Sequence, residues 1–206
     1  MALKKITLEV SNLEEAKQRA EESLRVHRDF LTFETTERRS FLGLKKTYHV
    51  EAYVDIDLAD YGVQILRTLF SDMGVEADIE MRHPSDYEFQ YYIDTDENPV
   101  LIGKNGKTLD ALQIYLRNLL NIFTEERAIV FVDIGGYKEQ RKKQLEILAT
   151  KTAKEVAQTQ TEAKLEPMNA YERRVIHTKL ADWRDVVTKS EGEKQNRHLV
   201  IKPKKK

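Results

Sequence analysis

The segment Val100-Leu101-Ile102-Gly103-Lys104-Asn105-Gly106-Lys107-Thr108 constrains this chain more than any other. Two glycines three residues apart interrupt a helical apolar pattern, and Leu109, Leu112, Leu116, Leu119 and Phe123 follow at three- and four-residue spacing. A buried helix therefore starts directly behind a glycine loop. Lacking Cβ atoms, Gly103 and Gly106 let the backbone turn sharply and approach another chain closely. The loop amides become donors, the helix contributes the positive end of its dipole, and Lys104 and Lys107 add full charges. Such a loop favours phosphate without reading a base. Two glycines at this spacing also fit a plain helix-turn-helix connector, so the neighbouring elements must decide.

Helical spacing begins at Ala59, with Val63, Leu66, Leu69, Phe70 and Met73 on one face and Gly74 as the stop. Residues 75–81 and 88–93 predict strands around His83-Pro84-Ser85-Asp86, and residues 128–134 a third, β-branched strand. Residues 99–123 hold two helices broken at the glycines. The order over residues 57–135 is then α-β-β-α-α-β, which with the lysine-bearing loop resembles a type II KH domain. The resemblance implies that Gly103, Lys104, Asn105 and Gly106 clamp single-stranded RNA, with bases in an apolar groove beside Ile102; Lys107 joins on charge and position. Asp86, Glu88, Asp94, Asp96 and Glu97 repel phosphate, which keeps RNA on the loop side. Tyr87, Phe89, Tyr91 and Tyr92 recur at strand spacing and read as a sheet face, core or interface, in preference to a base-stacking platform.

On the N-terminal side, Ile6, Leu8 and Val10 alternate as a strand, and Leu13, Ala16, Ala20 and Leu24 recur as a helix. Residues 30–34 and 48–54 predict two more strands joined by a basic connector, residues 38–46. Residues 1–54 thus form a β-α-β-β module, whose connector is a docking loop or an ordinary hairpin turn. On the other side, residues 137–158 predict one long polar helix with a stripe of Leu145, Leu148, Thr152 and Val156, connecting two domains over residues 136–160. In residues 161–206, Asn169 and Glu172 have capping-box spacing, and residues 185–190 and 197–202 make a hairpin around Gly192. The expected fold class is α+β, in three small modules.

Arg173 and His177 are four apart on the capped helix and share a face, with Arg174 adjacent. Arginine offers a planar fork of donors and histidine a donor or a stacking ring, a combination suited to single-stranded nucleic acid. Alone, the spacing equally describes a solvated face. Followed by a hairpin and a basic tail, it resembles the small single-strand-binding domain named for the Arg-x-x-x-His signature, and Arg197 and His198 extend the candidate surface. With both signatures in this order, the chain resembles the Jag family, also called KhpB or EloR, over essentially its full length. The N-terminal connector departs from the family's usual Lys-Lys-Gly by carrying Arg38-Arg39-Ser40 before Phe41, and residues 55–60 lead almost directly into the next helix where many relatives have a long linker.

The resemblance implies a cytoplasmic, single-stranded RNA-binding regulator or RNA chaperone tied to bacterial cell elongation and division. It also implies a small KH-domain partner of the KhpA kind and membrane proteins of the elongation or insertase machinery. A homodimer is a weaker expectation, since KH domains often pair but no heptad pattern compels it. The alternative is a protein-protein adaptor in which residues 1–54 dock on a partner and RNA binding is secondary; on that reading their removal abolishes docking and spares RNA affinity.

Several classes fall away. Apolar runs are far shorter than the roughly 20 residues of a membrane helix, and Thr7, Glu9 and Ser11 follow Lys4 and Lys5 where a signal peptide needs an apolar stretch. Zero cysteines exclude disulfides and thiolate metal sites. Residues 51–100 carry 13 Asp or Glu against 2 Arg, whereas residues 137–206 carry 18 Lys or Arg against 10 Asp or Glu, so the C-terminal third is the part able to face a polyanion. Nuclease-like Mg²⁺ chemistry would need Asp55 with Asp57, or Asp94 with Asp96. No phosphate-binding P-loop, zincin or serine-hydrolase motif is present. The expectation is a protein that is not an enzyme and holds no cofactor or metal.

Overall fold

The computed structural model describes residues 2–39 and 46–204, and they fold as two compact units, Met1–Gly135 and Gly136–Lys206. The first contains two three-stranded sheets. Strands β1 (Lys5–Val10), β2 (Leu31–Arg39) and β3 (Lys46–Val54) form an antiparallel sheet in the order β1-β3-β2. Helix α1 (Leu13–Leu24) starts at Asn12, whose side chain accepts from the Glu14 amide, and it buries Ala16, Ala20 and Leu24. Val50, Ala52 and Val54 of β3 alternate inward to the same core.

The β2–β3 hairpin is longer than predicted. Thr35, Thr36, Glu37 and Arg38 continue the ladder opposite Val50, His49, Tyr48 and Thr47, so Arg38 and Lys46, expected in the connector, lie in strands. β-Branched threonines and a Glu37–Lys46 ion pair at 3.6 Å suit a solvent-facing ladder that carries no apolar alternation. Residues 40–45 of the connector, including Phe41, lie outside the described residues.

The second sheet has helices on one face. Helix α2 (Leu58–Asp72) is capped by the Asp57 carboxylate, which accepts from the amides of Ala59 and Asp60. It closes where the Val75 amide reaches back to the Phe70 carbonyl at 2.9 Å and Gly74 takes φ 71°. That closure consumes residues 75–77, so β4 (Asp78–Ser85) begins later than predicted and runs through Pro84, tolerated because β4 is an edge strand with a register shift after Arg82. β5 (Glu88–Asp94) pairs antiparallel with β4 and parallel with β6 (Ile129–Ile134). Between β5 and β6 lie α3 (Asn98–Ile102), a 3-10 turn (Lys104–Gly106) and α4 (Lys107–Leu120), giving the α-β-β-α-α-β order read from the sequence.

Phe89, Tyr91 and Ile93 of β5 and Val130, Val132 and Ile134 of β6 are buried, as are Leu66 and Phe70 of α2 and Leu109, Leu112, Leu116 and Leu120 of α4. Leu120 takes the fully buried position expected of Leu119, one step round the helix. The aromatic strand splits by its period of two: Phe89 and Tyr91 are core, while Tyr92 lies on the other face beside Phe131 and under the Arg82 guanidinium, 4.7 Å from the ring centre.

The two sheets are tied together within this unit. Lys4 N–H donates to Phe123 O at 3.0 Å, Glu125 N–H donates to Ala2 O at 3.1 Å, and Leu3 bridges Thr124. Phe30, Tyr61 and Phe123 meet edge-on, with ring centres 5.1–5.7 Å apart. Residues 1–54 therefore share packing and backbone bonds with the segment after α4, and their removal would open both.

In the second unit, α5 (Tyr137–Thr159) and α6 (Ala170–Leu180) pack on an antiparallel sheet of order β7-β9-β8, where β7 is Ala163–Lys164, β8 Val186–Glu191 and β9 His198–Pro203. Leu145, Ala149, Ala153 and Val156 of α5 share one core with Ile176, Leu180, Val186, Leu199 and Ile201. The helix expected to connect two domains thus belongs by packing to the C-terminal one. Its inward stripe runs through Ala149 and Ala153, whose small side chains let helix and sheet approach, and Leu148 is 40% exposed.

Candidate nucleic-acid interface

Helix α3 ends at Gly103, whose φ of 69° and ψ of 179° are open essentially to glycine alone. A Cβ there would sit 2.1 Å from Thr108 Oγ1. Asn105, with φ 54°, takes the left-handed conformation that asparagine tolerates, and Gly106 follows with φ 74°. Three positive φ angles in four residues make the backbone double back within one tight turn, closed by the Gly106 amide donating to Gly103 O at 3.2 Å.

Helix α4 then begins with Gly106 at the N-cap position and no side chain capping its first turn. The orphan amides of a helix start, normally covered by Ser, Thr, Asp or Asn, are left for another acceptor. Lys104 and Lys107 flank them and are exposed, while Ile102 is half-buried beside the fully buried Leu101. Amides, a dipole end and two ammonium groups make this loop an anion acceptor. Val100 is 53% exposed and adds apolar surface next to Ile102.

The second candidate group sits on α6. Asn169 and Glu172 form the expected capping box. Arg173 is half-buried and its guanidinium donates from Nη1 to Met168 O at 3.0 Å, which ties the side chain to the turn that starts the helix. His177 is exposed, and its Nδ1 hydrogen-bonds the Thr188 hydroxyl on β8. Arg173 and His177 share the flank of α6 that faces β8, with Arg174 exposed beside them. Thr188 went unseen in sequence because its role depends on which face of β8 meets the helix. Arg197 is exposed, but His198 donates from Nδ1 to Asn196 O at 2.9 Å in its own turn. Three ladder steps, about 10 Å, separate the Glu191–His198 pair from Thr188–Ile201, so His198 does not join His177.

The acidic residues that a metal site would need have other work. Asp57 caps α2, Asp94 accepts from Asn98 Nδ2 at 2.9 Å, and Asp55 accepts from the Thr32 hydroxyl at 3.4 Å. Among the described residues no three His, Asp or Glu side chains converge to hold a metal ion.

The family model of the domain named for the Arg-x-x-x-His signature matches residues 143–203, a span that takes in most of α5 together with α6 and the hairpin. Over 204 residues the chain is 35% identical to the RNA-binding protein KhpB of Clostridium symbiosum, covering 97% of this chain and 92% of that protein. The chain belongs to the KhpB family. It is also 32% identical to the Bacillus subtilis KhpB over 209 residues, covering 98% of this chain and the whole of the relative. The KhpB of Lactiplantibacillus plantarum is longer: 34% identity extends over 144 residues, 70% of this chain but 43% of that protein. No helix of the described residues is long and apolar enough to cross a membrane.

Proposed function

We propose that this chain binds single-stranded RNA, with residues 57–135 acting as a type II KH domain and the Arg-x-x-x-His domain as a second contact. The observation that carries the reading is the loop of residues 103–106, a glycine turn that presents uncapped amides and flanking lysines at the start of α4. Phosphate rests on the amides of this loop, Lys104 and Lys107 neutralise its neighbours, and bases lie against the apolar surface of Ile102. On the Arg-x-x-x-His domain, Arg173 and Arg174 meet phosphate, and His177, held by Thr188, donates or stacks. The names of the relatives support RNA as the ligand. The family resemblance extends the proposal to a cytoplasmic regulator or chaperone of RNA in cell elongation and division, not an enzyme, with a KhpA-like partner, envelope-associated membrane proteins or a second copy as protein contacts.

Fluorescence anisotropy with a labelled single-stranded RNA tests it, comparing the intact chain with the double variant Lys104→Asp, Asn105→Asp at two salt concentrations. Loss of binding with an unchanged circular dichroism spectrum supports the loop as the main site. Unchanged binding moves that site to Arg173 and His177. Absence of binding by the intact chain overturns the RNA reading and leaves the adaptor.

A further inference from the structure

Arg173 and His177 use only one flank of α6. Lys179 lies two residues beyond His177, about 200° around the helix, and turns toward α5, where it pairs with Glu146 at 3.5 Å. Between the two helices runs a groove of about 560 Å³ lined by Lys143, Ile147, Thr150, Lys151, Lys154 and Lys179, with Glu146 at its side. The α5 residues recur every three or four positions and so form one stripe, and Lys143 to Lys154 spans about 16 Å at 1.5 Å per residue.

Two features separate this stripe from an ordinary solvated face. Lys143 and Lys179 have acidic partners, Glu139 at 3.8 Å and Glu146, but among the described residues Lys151 and Lys154 are in no ion pair. Uncompensated ammonium groups side by side repel one another and attract an external anion. In the middle of the stripe Ile147 is 69% exposed, a large apolar side chain on a helix whose own core stripe lies elsewhere. A line of cations with an apolar strip between them complements a chain that alternates phosphates with ribose and base faces.

We propose that the α5–α6 groove is a second phosphate-backbone site for single-stranded RNA, on the flank of α6 opposite Arg173 and His177. The inference rests on the RNA-binding reading and adds a site to it. Lysine suits this task because a mobile point charge follows a flexible backbone without fixing its register. The 16 Å span exceeds several nucleotide steps at about 3.4 Å of rise each, so more than one phosphate is met at once. An acidic polypeptide or an anionic membrane shares the charge but has no ribose or base face for Ile147, and a membrane would call for a broader apolar surface.

The experiment uses the full chain and a fluorescein-labelled 20-nucleotide oligouridylate, titrated by anisotropy over a series of salt concentrations. In Lys151→Gln, Lys154→Gln two charges are lost from positions where glutamine is as good a helix former. The salt slope of log K is expected to shrink by roughly 0.7 per lost phosphate contact, about 1.4 in all, with weaker binding at low salt. Lys151→Arg, Lys154→Arg is expected to keep both slope and affinity. A Gln variant that binds with unchanged slope, or an Arg variant that fails equally, overturns the site while leaving the loop reading intact. Polyglutamate or phosphatidylglycerol vesicles that bind the wild type and lose the Gln variant, with RNA unaffected, overturn it in favour of that partner. Failure of the wild type to bind RNA at all removes both readings.

Discussion

Arg141 Nε donates to Glu172 Oε1 at 2.7 Å, joining α5 to the first turn of α6 through a carboxylate that is only 7% exposed. The same carboxylate accepts from the Asn169 amide, and Asn169 in turn accepts from the Glu172 amide, so one residue secures the cap and the helix-helix contact next to Arg173. Arg141→Ala strands a buried charge and is expected to destabilise the C-terminal unit by about 3 kcal/mol. Trp183, the single tryptophan, packs against that core and reports urea unfolding directly. Adding Glu172→Gln to Arg141→Ala should recover part of the loss, because the stranded group is then neutral; an unchanged midpoint in Arg141→Ala would show the pair to be decorative.

Gly62 on α2 gives way to Tyr91, whose ring is fully buried and whose hydroxyl donates to Ala59 O at 3.4 Å. An added Cβ would lie 2.1 Å from that hydroxyl and 2.6 Å from Cζ. Gly62→Ala, which ordinarily favours a helix, is therefore expected to cost about 2 kcal/mol through overpacking, read as a lower thermal midpoint by circular dichroism. Tyr91→Phe in the same background removes the nearest collision and should restore some of it.

What was legible in the sequence was local. The glycine loop, the Asn169–Glu172 box and the α-β-β-α-α-β order are each written in neighbouring residues, and the structure shows these elements. What was not legible depends on distant surfaces. The link between the N-terminal sheet and the end of α4 is made largely by backbone groups of Ala2, Lys4, Phe123 and Glu125, which leave no side-chain signature. Ala149 and Ala153 look like helix filler until a neighbouring helix and sheet need their small size. The His177–Thr188 contact joins two elements whose facing is set by the fold of the whole unit.

Arg28 grips Glu21 by its amide at 2.9 Å and by Nε and Nη2 at 3.1 and 2.7 Å. Hydrogen bonds from the guanidinium first, and from the amide second, hold the Glu21 carboxyl below the usual carboxylate range. A depressed acid stabilises the fold fully above its unfolded pKa, near ~4.3, and that contribution is lost as pH falls through the lower folded value. Carboxyl NMR titration should place the Glu21 midpoint below an ordinary glutamate, and Arg28→Gln should move it up. A midpoint already at the ordinary value in the wild type would contradict the geometry.

If the backbone of the loop, more than its side chains, does the clamping, substitutions there should sort by conformation. Gly103→Ala forces a Cβ against Thr108 Oγ1 and a φ of 69° with extended ψ on a residue that resists it, a strain of about 1–3 kcal/mol. RNA affinity should fall well beyond what the lowered stability accounts for, since the loop relieves the strain by changing shape. Gly103→Ala with Thr108→Ala removes the Oγ1 collision but not the φ, and should regain little. Asn105→Gly keeps a residue at ease with φ 54° and should retain most binding. If Asn105→Gly loses as much affinity as Gly103→Ala, the amide side chain is the recognising group and the turn merely carries it.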